Sequence, residues 1–563
     1  MGGLRAGAET QNITSTADGA AGTGERDSPP GPQNRWGPLS AYLLAGAILF
    51  VAYLRLSETS QLNSDSANIL LMAQDLLHGN LLLHGWYMSD VSFYPTEIPQ
   101  YALLESLLGA KMQTAHVAAA MTYTLAFLFA VVLARSGASG RAAWTRTLIA
   151  AGIMLAPQFG LGVFALDLSI GHIGTSVPLL LLWLLLDRAP AHWYVPVLTA
   201  MVLTWVLMAD QIVYLVGIAP LTLVCVVRVL RKTVRGDGHW TQRVAGQWYE
   251  LSLAAAAVVA AGLAWAAIRL VRDMGGYAMN KLPFYFLQPG RLHHNLPAAW
   301  KVLQIFGANY AGLGGIQLAL ALLHLASVIL VTAAVLLVAW RFFGEISLVD
   351  QVLAVAIVAN VALFLLTNAA DLAAHEVAVI VPFGAALAAR VLVPASSGRP
   401  RLPRRARLAA LTAGAVVLAG YTAGFGYELT KPSVPPANVR LAPWLLEHHL
   451  TYGLGGYWAS SSVTVDSGQR VKVRALMQYT LKRDLWMSNV TWYDPKLHYA
   501  NFVVLDSRPG NFSHWEPRRL IRKYFGVPDQ TYRTGPYTIM VWHRNLLNDI
   551  PGTGHRLKPV RSR

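Results

Sequence analysis

The sequence predicts a polytopic α-helical membrane protein with a small α/β region at its C-terminal end. Three observations carry that prediction. Hydrophobic residues make up 54% of the 563, charged residues only 13%, and mean hydropathy is +0.41; a soluble domain carries about 25% charged residues. Apolar runs of roughly 20 residues recur along most of the chain, long enough to cross a bilayer. The runs stop near Lys431, and short alternating segments take over.

Residues 1–37 are rich in Gly, Ala, Ser, Thr and Pro and read as a disordered tail on the cytoplasmic side. Eleven spans follow, at about 38–56, 114–134, 147–166, 171–187, 193–209, 211–230, 250–271, 317–340, 350–368, 376–394 and 408–427. Positive charge sorts the loops between them. Arg135, Arg141 and Arg146, then Arg188, the group Arg228 to Arg243, Arg341 and the group Arg390 to Arg407 fall in alternate loops. The intervening loops hold Asp167 and His172, Asp210, and Asp371, His375 and Glu376. By the positive-inside rule the N-terminus is cytoplasmic and the C-terminal region lies outside, at the plasma membrane. The net charge of +16 is therefore topological, and no nucleic-acid partner is expected. The single cysteine, Cys225, permits no internal disulfide.

The first outer loop, 57–113, is too long for a turn. It opens with a helix that Ser64 or Asp65 caps and Gly79 ends, with Ile69, Met72, Ala73 and Leu76 as one apolar stripe on the membrane surface. That spacing puts Asp65 and Asn68 on a shared face. Ser89-Asp90 and Phe93-Tyr94-Pro95-Thr96-Glu97 follow, then a second short helix, Ile98 to Leu108. One later outer segment, 272–316, breaks the charge rule. It interleaves Phe284, Tyr285, Phe286, Gly and Pro with Lys281, Arg291, His293, His294 and Lys301, a composition suited to an anionic lipid headgroup. The ordinary alternative is an interfacial loop with aromatic anchors.

Residues 38–430 form the transmembrane part and 431–563 the extracytoplasmic α/β domain. Its expected strands are Ser462-Val-Thr-Val-Asp466, Val471 to Arg474, Asn501 to Leu505 and Tyr537 to Trp542. Helices are expected over Ala442 to His449 and Pro517 to Tyr524, with Gly453, Gly455 and Gly456 marking turns.

One span, a long outer loop with an early Asp and surface helices, and the Phe93-Tyr94-Pro95 approach to the second span together resemble the GT-C integral-membrane glycosyltransferases. The branch is that of protein O-mannosyltransferases and lipid A aminoarabinose transferases. The resemblance implies an inverting transfer of a sugar from a polyprenyl-phosphate carrier to an extracytoplasmic glycan, lipid or protein acceptor. It implies that Asp65 acts on the acceptor hydroxyl and that Asp167 supplies a second carboxylate. Many members carry two adjacent acidic residues at the first position, whereas here Ser66 follows Asp65. The residues read alongside are Arg291, Lys281, His293 and His294 for the donor phosphate, and Asn68, Asp90, Glu97, His172 and Asp210 for the substrate pocket. One Asp and one His without ligand spacing make a weak metal site, so no metal is required, although a divalent ion is compatible. A transporter or flippase, or a non-catalytic envelope-assembly protein, are the competing functions; charges gathered at one face without repeated halves favour the enzyme.

Overall fold

The computed structural model describes residues 36–155, 172–189, 191–235, 240–309, 311–371, 374–395, 403–509 and 513–552. From Gly46 onward these form one compact unit. The chain is a multi-pass membrane protein, and among the described residues eight helical segments are long and apolar enough to cross a bilayer: Ser40–Ser57, Met112–Arg135, Tyr214–Val234, Trp248–Asp273, Gly315–Trp340, Leu348–Leu366, Ala374–Leu392 and Arg404–Leu429. Each coincides with an expected span. The remaining three expected spans meet shorter helices, Gly140–Leu155, Gly174–Arg188 and Tyr194–Ala209, of 16, 15 and 16 residues.

The bundle packs on small residues. Helix Ile380–Leu392 is buried from Ile380 through Arg390, with Ala385, Ala386, Ala388 and Ala389 lining its contacts. A Cβ at Gly384 would stand 2.8 Å from Val331, so Gly here lets Leu325–Trp340 come close. That central helix ends in a charged knot. Arg390 donates to both oxygens of Asp187 at 2.7 and 3.1 Å, to Asp350 at 2.5 Å and to the Leu133 carbonyl at 3.2 Å. Arg146 donates to the Ala134 and Ser136 carbonyls, at 3.2 and 2.8 Å. Residues from five helices that the charge pattern assigned to one side thus meet at one end of the bundle.

Helix α1 (Trp36–Ser57) leads into α2 (Ser64–Leu77), a three-residue strand β1 (Trp86–Met88) and α3 (Glu97–Leu108). The cap of α2 is Asn63, whose side chain accepts from the Asp65 N–H, and not Ser64 or Asp65. Nor is α2 a helix with one buried stripe. Ser64, and every residue from Ser66 to Ala73, is buried. Two layers enclose it: α3 on one side, and a piece of the C-terminal region around Tyr457 and Ser461–Asp466 on the other. Strand β1 pairs in parallel with β2 (Ala278–Met279), bringing the start of the basic segment against the first loop.

The C-terminal region builds a five-stranded mixed sheet. With β3 as Tyr452–Gly455, β4 as Lys472–Ala475, β5 as the separate Ser488–Asn489, β6 as Phe502–Asp506, β7 as Gln530–Thr534 and β8 as Tyr537–Val541, the order is β4-β3-β6-β8-β7. Strand β3 runs parallel to both neighbours, and β6-β8-β7 is antiparallel. Helices Leu441–Glu447 and Arg518–Phe525 stand where expected. Two expectations fail. Ser461–Asp466 is a helix: its residues from Ser461 to Val465 are all buried instead of alternately, and the Ser462 and Thr464 hydroxyls turn inward onto carbonyls four residues back, at 3.1 and 3.2 Å. Gly453 and Gly455 lie inside β3 and mark no turn. A Cβ at Gly453 would collide with the Phe502 ring at 2.3 Å, so the sheet needs glycine there for packing.

Candidate functional site

Two polar clusters occupy the end of the bundle opposite the Arg390 knot. The first is built around Asp65, one residue inside the first turn of α2. Tyr457, just beyond β3, reaches across and donates its hydroxyl to Asp65 Oδ1 at 2.6 Å. Asn68 Nδ2 donates to the same Tyr457 oxygen at 3.0 Å. The helical spacing of three that placed Asp65 and Asn68 on one face is thus used by one tyrosine. Asp65 Oδ1 is the nearer acceptor for the phenolic O–H, with Met487 Sδ farther off at 3.6 Å. Asn68 Oδ1 is buried and bonds to nothing among the described residues. Burial pushes the Asp65 carboxyl up to about 6, against the opposing pull of the Tyr457 hydrogen bond. A carboxylate in that range is a stronger base than one in water, yet still ionised at neutral pH.

The second cluster gathers residues from four parts of the chain. His172 sits between two carboxylates, with Nδ1 2.7 Å from Asp210 Oδ2 and Nε2 3.2 Å from Glu376 Oε2. Asp210, at the end of Tyr194–Ala209, is also held by Thr175 Oγ1 at 2.5 Å and by the Ile212 N–H at 3.0 Å. Burial alone would raise its carboxyl, but His172 and these donors hold it below the usual carboxylate range. His375 Nε2 lies 3.5 Å from Glu376 Oε1, and its ring centroid is 5.8 Å from that of His172. One donor atom from each of His172, His375 and Glu376 lies within 4.8 Å of the others.

The first loop reaches this cluster through its backbone. The N–H groups of Ser92 and Phe93 donate to the Ala209 carbonyl at 3.0 and 3.1 Å, and Ser92 Oγ to Met208 at 2.7 Å. This docking brings Asp90 and Glu97 into the field of Asp210, Glu376 and His172. Burial first, then the neighbouring carboxylates Glu376 and Asp210, raises Asp90. Glu97 is pushed up to about 7, by burial and then by Asp210, against the Thr96 hydrogen bond. Of the expected pocket residues, Asp90, Glu97, His172 and Asp210 are therefore brought together, while Asn68 belongs with Asp65. Asp167 falls outside the described residues.

In the basic segment, Asn280 Nδ2 ties β2 to Met88 and Leu485 carbonyls at 2.6 and 2.9 Å. Asn368 clamps the aromatic run, accepting from the Tyr285 N–H at 3.0 Å and donating to Pro283 at 2.7 Å. Phe284, Tyr285 and Phe286 are 57%, 55% and 64% exposed, which leaves their rings outward for a lipid environment. Lys281 and His293 are exposed. Arg291 and His294 lie in the turn Pro289–Asn295, and their side chains fall outside the described set.

Tyr457 is the site residue that sequence reasoning missed. It lies almost 400 positions from Asp65, in a Gly-Gly-Tyr-Trp stretch that looks like an ordinary turn. His375 and Glu376 were visible as outer-end charges, but not as partners of His172.

Neither a protein-family model nor a curated protein matches this sequence. Solved structures do. ArnT from Cupriavidus metallidurans bound to undecaprenyl phosphate is 13% identical and superposes with a TM-score of 0.54 over 90% of this chain and 98% of that one. The same protein in its apo state gives 12% identity and 0.52, over 90% and 97%. The Archaeoglobus fulgidus oligosaccharyltransferase in complex with Zn and sulfate is 15% identical at 0.46, over 83% of this chain and 68% of that one. The chain has the GT-C fold, shared with ArnT over 90% of its length.

Proposed function

We propose that this protein is a glycosyltransferase that moves a sugar from a polyprenyl-phosphate-linked donor to an extracytoplasmic acceptor hydroxyl. The observation that carries the reading is the Asp65–Tyr457–Asn68 triangle, set in a fold shared with a protein whose structure holds undecaprenyl phosphate. Asp65 takes the acceptor proton as the oxygen attacks C1. The C1–phosphate oxygen bond breaks on the far face, the carrier phosphate leaves with the electron pair, and the sugar inverts. Asp167 acts as the second carboxylate. Cells without the protein should accumulate one unused polyprenyl-phosphate sugar and lose one sugar from an envelope glycan, lipid or protein. Unchanged carrier lipids would reject the reading.

Tyr457 is a positioning residue in this scheme. Its hydrogen bond lowers the Asp65 carboxyl, so Tyr457→Phe should move the acid limb of kcat/KM upward, by about one unit. It should also lower kcat near neutrality. A merely structural tyrosine would leave the limb in place.

The donor phosphate is held from the 272–316 segment by Arg291, with Lys281, His293 and His294 in support. A guanidinium fork matches phosphate oxygens, and the leaving phosphate gains charge in the transition state. Arg291→Ala should therefore raise the KM for the lipid donor and lower kcat, while Arg291→Lys recovers part of both. Unchanged donor kinetics in both variants would remove Arg291 from the site.

We place the N-terminus in the cytoplasm and the domain 431–563 outside, because the arginine-rich helix ends meet at one pole and the two acidic clusters stand at the other. Ser507, exposed beyond β6, reports on this. A Ser507→Cys variant should react with an impermeant thiol reagent in intact cells. Labelling only after lysis would invert the topology.

A further inference from the structure

We propose that Asn280 is a positioning residue for sugar transfer: it locks the junction at which the donor segment meets the Asp65–Tyr457 site. The inference rests on the transfer reading above and concerns what sets the spacing between the two substrates. The junction is a small sheet drawn from three distant parts of the chain. Strand β1 of the first loop is its centre. Strand β2, which opens the basic segment, pairs with it in parallel, with Tyr87 beside Ala278 and Met88 beside Met279. Strand β5 of the C-terminal region pairs with the other edge, antiparallel, with Trp86 beside Asn489 and Tyr87 beside Ser488. Those registers bring the end of β2 and the start of β5 to the same end of β1. Asn280 closes that end. Its N–H donates to the Ser89 carbonyl at 3.1 Å. Its Nδ2 donates to the Met88 carbonyl at 2.6 Å and to the Leu485 carbonyl at 2.9 Å, so one amide spends both hydrogens on the first loop and the C-terminal region.

Each side of the clamp leads to one substrate. On one side the chain runs from Asn280 directly into Lys281 and the segment proposed above to hold the donor phosphate. On the other, Met487 precedes β5 and sets its sulfur 3.6 Å from the Tyr457 hydroxyl, the group that donates to Asp65 at 2.6 Å. Met487 is 3% exposed and has a φ of +46°, in the left-handed region that a bulky residue keeps only where its surroundings hold it there. The β5 pairing holds it from one side and the bond from Asn280 to Leu485 from the other. Without that bond residues 485–487 relax, the sulfur leaves the phenol, and β2 loses its tie to the C-terminal region. Displacement at C1 needs the acceptor oxygen beside Asp65 to stand about 3–3.5 Å from the sugar carbon beside the carrier phosphate. A clamp that touches both supports fixes that spacing.

The test uses the full chain in lipid nanodiscs with polyprenyl-phosphate mannose, galactose and arabinose as donors and an envelope extract as acceptor, and it measures transfer and hydrolysis separately. Hydrolysis is the same displacement with water in place of the acceptor: its oxygen attacks C1, Asp65 takes a proton, and the carrier phosphate leaves with the electron pair, giving free sugar. Asn280→Ala should lower kcat for transfer about 10²-fold, the usual cost of a misplacement of about 1 Å. The KM for the donor should stay within about threefold, because the phosphate contacts themselves remain. The share of donor lost to water should rise at least about fivefold, since a widened gap at C1 admits it. Asn280→Asp, equal in size but without the two hydrogens, should do at least as badly as Ala. Asn280→Ser keeps one donor and should fall between Ala and wild type, and it carries the comparison where Ala or Asp does not fold. A lower kcat with the hydrolysis share unchanged means that Asn280 only supports the fold, and overturns the proposal; an unchanged kcat overturns it too. Both outcomes leave sugar transfer standing, whereas a wild-type chain that consumes no donor rejects the transfer reading and this inference with it.

Discussion

Replacing Asp65 with Asn should abolish most sugar transfer while leaving the protein folded. Asn keeps the volume and can still accept the Tyr457 hydroxyl at the site where Oδ1 now accepts it. What it cannot do is take a proton. Loss of a general base costs about 10²–10⁴-fold, and the cost should fall on kcat, since the acceptor hydroxyl still has its site. The pH dependence has a definite sign. Burial raises the Asp65 carboxyl to about 6, so the base is ionised and competent above that pH, and activity falls as pH drops through it. The residual rate of Asp65→Asn should lack that limb. Initial rates of purified protein against pH, with folding checked by thermal melting, measure both. A variant with wild-type turnover, or one that keeps the limb near 6, would take Asp65 out of the mechanism.

Replacing Arg390 with Met should give the largest loss of stability. Its side chain is 6% exposed and pairs with two carboxylates, each 13% exposed. Burying an ion pair is not in itself stabilising, but removing one partner strands the other in a poor solvent. Here two stranded carboxylates, Asp187 and Asp350, would face each other at the ends of Gly174–Arg188 and Leu348–Leu366. The expected cost is about 3–5 kcal/mol, read as a fall in the unfolding midpoint in detergent. Neutralising both carboxylates in the same background, with Asp187→Asn and Asp350→Asn, should recover much of it. An unchanged midpoint for Arg390→Met would mean that solvent already screens the knot.

The fold class was legible because membrane crossing leaves a one-dimensional trace. Apolar runs located a helix at every expected span, and arginine placement anticipated the pole at which Arg146 and Arg390 meet. The first loop was half legible. Spacing of three put Asp65 and Asn68 on one face, yet the sequence showed a single apolar stripe where α2 is buried all round. The second buried face is made by Tyr457 and Ser461–Asp466, which local periodicity cannot anticipate. Short segments misled for a related reason. Ser462-Val-Thr-Val-Asp466 alternates like a strand, but five residues are too few to separate that pattern from one buried helical turn. Glycines in β3 looked like punctuation because their packing partner, Phe502, is fifty residues away. The site divides in the same way. Each outer-end residue could be nominated singly by charge, but the pairing of His172 with both Asp210 and Glu376 is a property of the folded bundle.

The measurement that bears most directly on the central claim is donor turnover by the purified chain. The protein in lipid nanodiscs is offered a panel of polyprenyl-phosphate sugars together with an envelope extract as acceptor, and free polyprenyl phosphate is followed by mass spectrometry. One donor should be consumed, releasing polyprenyl phosphate in step with a new glycosidic linkage on the acceptor, and Asp65→Asn should release little. No release from any donor, or release equal in wild type and Asp65→Asn, would contradict a sugar transfer driven from the Asp65–Tyr457 site.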